Sequence, residues 1–236
     1  MNKKVLGTLV LGLSCAAILA PMASEASEKE ASTDVGIKFE TDDDTTLIPG
    51  PFGDALSLNA KPTQFSFGTA KAANNSSATY EQQKGATKQY LSVFEDRDTV
   101  TTDWNVEAKM SALKNTDTTN TENKELQATL RFDSSAVSSF VEPARDADGN
   151  LPMYIPVPGE SELTALTGVD AKVTGNKDVQ LIAGGGSVKV LEGKQDAGKG
   201  GFASEIKNVR LAVAAQGKLS GQEFTGNVTW TLNDTI

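Results

Sequence analysis

Two loops in this chain carry the spacing of known ligand-binding turns. From Gly193 to Gly200 the sequence reads GKQDAGKG, with the G-x-x-x-x-G-K spacing of a loop that wraps phosphates in backbone N–H groups. Such a site needs Ser or Thr after the Lys to hold magnesium, and a helix to follow it. Here Gly200 follows Lys199 and no long amphipathic helix comes next, so the stretch reads as a turn-rich loop. The second loop, DADGN, sets Asp146, Asp148 and Asn150 at the first three ligand spacings of an EF-hand. Leu151 stands where that loop needs Gly and Val157 where it needs Glu, which excludes an EF-hand. Asp146, Asp148 and Asn150, with Asp42 to Asp44, are left as candidates for another kind of calcium site, against the plainer reading of solvated acidic loops. No cofactor is expected.

The chain contains no His, which removes His-based triads, imidazole metal ligands and the usual general base. Carboxylate pairs remain available, as in glycoside hydrolysis. Glu95, Asp96, Asp98 and Asp103 nevertheless fall in polar stretches that read as exposed connections, and nothing marks two of them as sharing a pocket. The expectation is a protein that is not an enzyme.

Lys3 and Lys4 precede an apolar run from Val5 to Ala20 and the small-residue stretch PMASEAS. That order is a secretory signal peptide, read over 1–26 with cleavage after Ala26. The single Cys, Cys15, lies inside it. Gly12 stands where lipoprotein signals carry Leu, so Cys15 is read as a discarded apolar residue rather than a lipid anchor. The run is short for a membrane span, and no membrane insertion is expected after cleavage. Without residues 1–26 the chain has no thiol, hence no disulfide and no thiolate ligand. Its net charge of −9 becomes about −10, which argues against binding the phosphates of nucleic acid.

The elements that must position any site are strands, because apolar residues recur with period two. In DWNVEAKMS, Trp104, Val106, Ala108 and Met110 share one face. ELQATLRFD places Leu126, Ala128, Leu130 and Phe132 together, and NVRLAVAAQ does the same for Val209, Leu211 and Val213. In FTGNVTWTL, Phe224, Val228, Trp230 and Leu232 oppose Thr225, Asn227, Thr229 and Thr231. Shorter strands are read in GIKFE, LSLNA, TQFSFG, QYLSVFE, VDAKVTG, VQLIAG and SVKVLE. About ten strands with long loops and at most one helical turn, in SELTALTG, predict an all-β antiparallel β-sandwich or barrel-like fold.

Between the strands, 27–50 reads as an acidic flexible N-terminal segment, with a single β domain over 35–236 that starts near 35. Residues 69–88 read as a loop and LKNTDTTNTENKE as a polar hairpin connection. A Pro-rich loop at 141–159 reads as a long surface excursion.

The signal peptide, QYLSVFEDRDTVTTDW, the GKGGF turn and the closing TGNVTWTL together resemble the WxL family of cell-wall-binding surface proteins of low-GC Gram-positive bacteria. The second motif is Trp230-Thr231-Leu232. The first departs from it, as Trp104-Asn105-Val106, with Val for Leu, and the segment from Val93 to Asp98 has Glu95 and Asp98 where the family often writes Asp and Gly. The resemblance implies non-covalent attachment to the cell wall through peptidoglycan, at the surface of the secreting cell. It also implies a surface complex with a membrane-anchored companion protein and other WxL proteins. The alternative is a structural or adhesive subunit that binds a partner surface protein or host matrix components; the last strand is a candidate edge for accepting a partner's strand.

Trp104, Val106, Trp230 and Leu232 are the motif residues that either bind the wall or pack the core. Their strand neighbours are apolar, so packing is favoured, with Thr225, Asn227, Thr229 and Thr231 as the alternative polar contact face.

Overall fold

The computed structural model describes residues 29–36, 56–72, 75–83, 88–97, 102–141, 144, 147–149, 159–168 and 171–234. In chain order its strands are β1 (Lys29–Gly36), β2 (Leu56–Ala60), β3 (Gln64–Ser66), β4 (Ala78–Glu81), β5 (Gln89–Glu95), β6 (Trp104–Met110), β7 (Leu113–Asn115) and β8 (Glu125–Leu126). There follow β9 (Ala128–Phe140), β10 (Thr164–Ala165), β11 (Val173–Gly175), β12 (Val179–Ile182), β13 (Val188–Gly193), β14 (Gly200–Val213) and β15 (Phe224–Asp234). Among the described residues one 3-10 turn, Glu160–Glu162, overlaps only the start of SELTALTG, read as a helical turn, while Thr164–Ala165 within that stretch form β10.

These strands make two sheets that pack face to face as a sandwich, with no closed barrel. Sheet A runs β11-β13-β6-β15-β1-β3, with β7 and β8 attached beside β15; sheet B runs β10-β9-β14-β5-β2, with β12 on β9 and β4 on β14. All pairings are antiparallel except that of β1 with β3.

The period-two reading is visible directly in burial. Along β6, Trp104, Val106, Ala108 and Met110 are buried while the residues between them are not, and β15 alternates in the same way from Val228 to Leu232. Such alternation is what a strand produces when one face packs on a core and the other meets water. The inward faces of both sheets contribute to one continuous cluster. Phe132 of sheet B sits between Phe65 and Trp230 of sheet A, at ring separations of 6.0 Å to each, and Trp104 meets Phe202 at 6.2 Å. Each tryptophan therefore spans the gap to an aromatic ring of the facing sheet.

Several expectations are corrected. Residues 69–88 are not wholly loop, because β4 lies within them and pairs with the end of β14. The expected turn GKGGF already contains the start of β14 at Gly200. Lys29–Gly36, most of it inside the stretch read as a flexible lead-in, forms β1 between β15 and the edge strand β3 of sheet A. β15 is consequently not an edge strand, since β6 pairs on one side of it and β1 on the other. The strand read in GIKFE and most of the Pro-rich loop lie outside the described residues.

Candidate functional site

The two motifs meet on neighbouring strands. In the antiparallel pairing of β6 with β15, Val106 lies opposite Leu232, Ala108 opposite Trp230, and Trp104 opposite Asp234. The third residues of both motifs are thus direct partners, with one tryptophan two positions away on either side. Trp104 and Trp230 are both 0% exposed, and Val106 and Leu232 are buried with them. Removing a Trp of ~150–250 Å² from water is worth roughly 4–6 kcal/mol as an upper bound. No part of either ring is available to a ligand in the folded state.

Trp104 rests on bare backbone. Gly193 of β13 is its register partner, and a Cβ there would lie 2.1 Å from the indole ring. The same device recurs in sheet B, where a Cβ on Gly201 would lie 2.0 Å from the Phe140 ring. Two of the glycines around the apparent phosphate loop thus make room for aromatic rings. Its lysines are engaged as well. Lys199 donates to the backbone oxygen of Asp96 at 3.0 Å, and Lys194 bridges Glu192 and Asp103, the latter at 3.0 Å. These contacts hold the carboxyls of Glu192 and Asp103 below their ordinary values, chiefly through Lys189 and then Lys194 for Glu192 and through Lys194 for Asp103.

Glu95 overturns the expectation that its segment is exposed. It ends β5, is 0% exposed, and both its carboxylate oxygens accept from the Arg97 guanidinium, at 2.6 to 3.1 Å. Arg97 continues to Asp234 of β15 at 2.6 Å and to the Thr102 hydroxyl at 2.8 Å. The guanidinium is held charged, its pKa raised first by Glu95. This cluster clasps the end of sheet B to the end of sheet A beside both motifs. A close D/E-x-R spacing is its only sequence signal, because the fork of Arg matches a carboxylate two residues back.

The polar residues opposite the motif side chains form the candidate site. On the outer face of sheet A a cleft of about 400 Å³ is floored by Asn227, Thr229, Thr231 and Asn233 of β15 and by Glu107, Lys109 and Ser111 of β6 and its end. Thr225 is exposed but lies outside this lining. Ser187 donates to Glu107 at 2.6 Å, Asn233 donates to Asn105 at 3.1 Å, and the Asn227 backbone N–H donates to the Ser111 hydroxyl at 3.0 Å. The hydroxyls of Thr229 and Thr231 make no hydrogen bond among the described residues, which leaves them to a ligand. The lining has no aromatic ring for a sugar to stack on, and a single carboxylate, so no acid and base face one another. It can hydrogen-bond an uncharged polymer rich in amide and hydroxyl groups.

The calcium candidates are not brought together in view. Asp148 is exposed, Asp146 and Asn150 lie outside the described residues as do Asp42 to Asp44, and among the described residues no group of three acidic side chains could hold a metal. No helix there is long and apolar enough to cross a membrane.

Two antiparallel sheets with the aromatic motifs turned inward and a polar strand face turned outward make this an all-β sandwich domain. The chain belongs to the WxL family, described as WxL domain surface cell wall-binding, which it matches over residues 26–235. It is a protein of the cell wall surface. No curated protein and no solved structure matches it.

Proposed function

We propose that this protein is a secreted, non-enzymatic module that attaches non-covalently to peptidoglycan through the outer face of sheet A. The supporting observation is the division of β15 into a buried motif face and a polar cleft face. Amide and hydroxyl groups there match the N-acetyl groups, hydroxyls and stem peptides of the wall polymer. On this reading the motifs hold the cleft strands in register and do not touch the wall. Partners in a surface complex, including a membrane-anchored companion and other WxL proteins, would bind elsewhere on the sandwich.

The test is co-sedimentation of the chain lacking residues 1–26 with sacculi stripped of protein and teichoic acid. Thr229→Val with Thr231→Val removes two free hydroxyls at nearly constant volume and should weaken pelleting about tenfold or more, as two lost hydrogen bonds predict. Its melting temperature should stay near that of the parent. Full pelleting by this folded variant would reject the cleft. Failure of the parent to pellet, with capture of a stoichiometric surface protein or host matrix component instead, would favour the structural or adhesive reading.

A further inference from the structure

The strand that completes sheet A is supplied by a distant part of the chain. β1 lies between β15 and β3, with Lys29 to Gly36 opposite Leu232 to Thr225 on one side and Asp34 to Gly36 beside Gln64 to Ser66 on the other. Without it the long backbone edge of β15 would be open, and open edges recruit strands. Its connection to β2 is the stretch 37–55, which can span roughly 60 Å when extended.

The composition of β1 suits a strand held by its backbone. KEASTDVG contains one branched aliphatic residue, Val35, whereas the facing segment of β15 holds Val228, Trp230 and Leu232. The position opposite Trp230 is Ala31, and the one opposite Gly226 is Val35. What the register gives it is the backbone ladder, with eight pairs to β15 and three to β3. An identical segment arriving from another molecule would make identical pairs, which is the condition under which element exchange becomes thermodynamically cheap.

We propose that β1 is an exchangeable strand and that its partner is a second copy of this chain, whose own 29–36 segment fills the slot between β15 and β3. Reciprocal exchange gives a closed pair, while one-way donation gives an open chain of copies. The intramolecular strand wins in dilute solution because of its high effective concentration, and exchange grows where copies are crowded. Exchange is read by disulfide formation between copies and not by wall binding, so the wall-binding reading can fail without affecting this one.

The chain beyond Cys15 has no cysteine, so pairs can be placed at will. Ser32 and Thr229 are register partners. A Ser32→Cys variant and a size-tagged Thr229→Cys variant, both lacking residues 1–26, are incubated together at rising concentration and oxidised. Exchange predicts a mixed-mass disulfide dimer whose yield climbs with concentration and vanishes when the Ser32→Cys partner also carries Thr33→Pro, which breaks the strand's ladder. The double variant Ser32→Cys/Thr229→Cys should close an intrachain bond when dilute. An intrachain bond at every concentration with no mixed-mass dimer overturns the proposal, as does failure of the double variant to close.

Discussion

Val106 and Leu232, the third residues of two motifs more than a hundred positions apart in sequence, lie directly opposite one another on β6 and β15. The two triplets therefore form one inward-facing patch, in which an aliphatic pair is flanked by a tryptophan on each side. The Val at 106 is accommodated because it shares its space with the Leu at 232.

That shared space predicts coupling. Val106→Leu alone should overpack the patch and destabilise by about 1–3 kcal/mol. Adding Leu232→Val restores the volume, so the double variant should lose less than the sum of the single effects. Denaturant unfolding of the four proteins in the cycle measures the difference.

Trp230→Ala should destabilise by about 3–5 kcal/mol, as expected for deleting a buried aromatic. Its loss of wall binding should follow only the fraction unfolded. A variant that melts with the parent yet releases the wall would place the indole at the ligand after all.

Gly193→Ala should destabilise by about 1–3 kcal/mol or more, because the added methyl meets the Trp104 ring and nearby strand backbone cannot yield freely. Gly186 has nothing within 4 Å of an added Cβ, so Gly186→Ala should be nearly neutral. Thermal melts of the two variants separate a packing effect from a general intolerance of side chains in this region.

Glu95→Ala should cost about 3 kcal/mol, at the low end for a broken buried pair because Arg97 keeps 14% of its side chain in solvent. Glu95→Ala with Arg97→Met should recover much of that loss by removing the stranded cation. Chemical denaturation checks both, and an Arg97→Met variant alone separates the cost of the stranded carboxylate.

The lysine-bound loop predicts acid sensitivity. Glu192 and Asp103 have folded pKa values below their ordinary 4.5 and 3.8, so in that window the unfolded chain binds more protons than the folded one. Their contribution is complete above the ordinary values and is lost as pH falls through the depressed ones. Both groups are solvent-accessible, so the effect is small. Melting temperature followed from about pH 6 to 3 should fall less steeply for Glu192→Gln than for the parent.

The long strands were legible because their alternation runs over many residues: β6 and β15 announce a buried face through Trp104 to Met110 and Val228 to Leu232. The polar cleft was legible only as the other side of that pattern. β4 was hidden because Tyr80 is the one aromatic residue of its ATYE sequence, which NNSS precedes and QQ follows. The start of β14 was hidden because Gly200 and Gly201 are turn formers by propensity, and the Phe140 ring that requires Gly201 lies far away in sequence. Glu95 looked exposed because its neighbours are charged, yet one of them, Arg97, folds back and makes its burial tolerable. The interior place of β15 depends on β1, whose small residues sit in an acidic stretch and give no sign of pairing nearly two hundred positions away.

The order of strands in sheet A also constrains when the sheet can close. β15 pairs residues 224–234 with 29–36 and 104–110, so the centre of the sheet joins early, middle and late parts of the sequence. A chain that stops short of residue 224 holds β1 and β6 without their common neighbour. Closure of sheet A therefore waits for the last strand, and because its pairings are of long sequence separation that step is slow beside the formation of local hairpins.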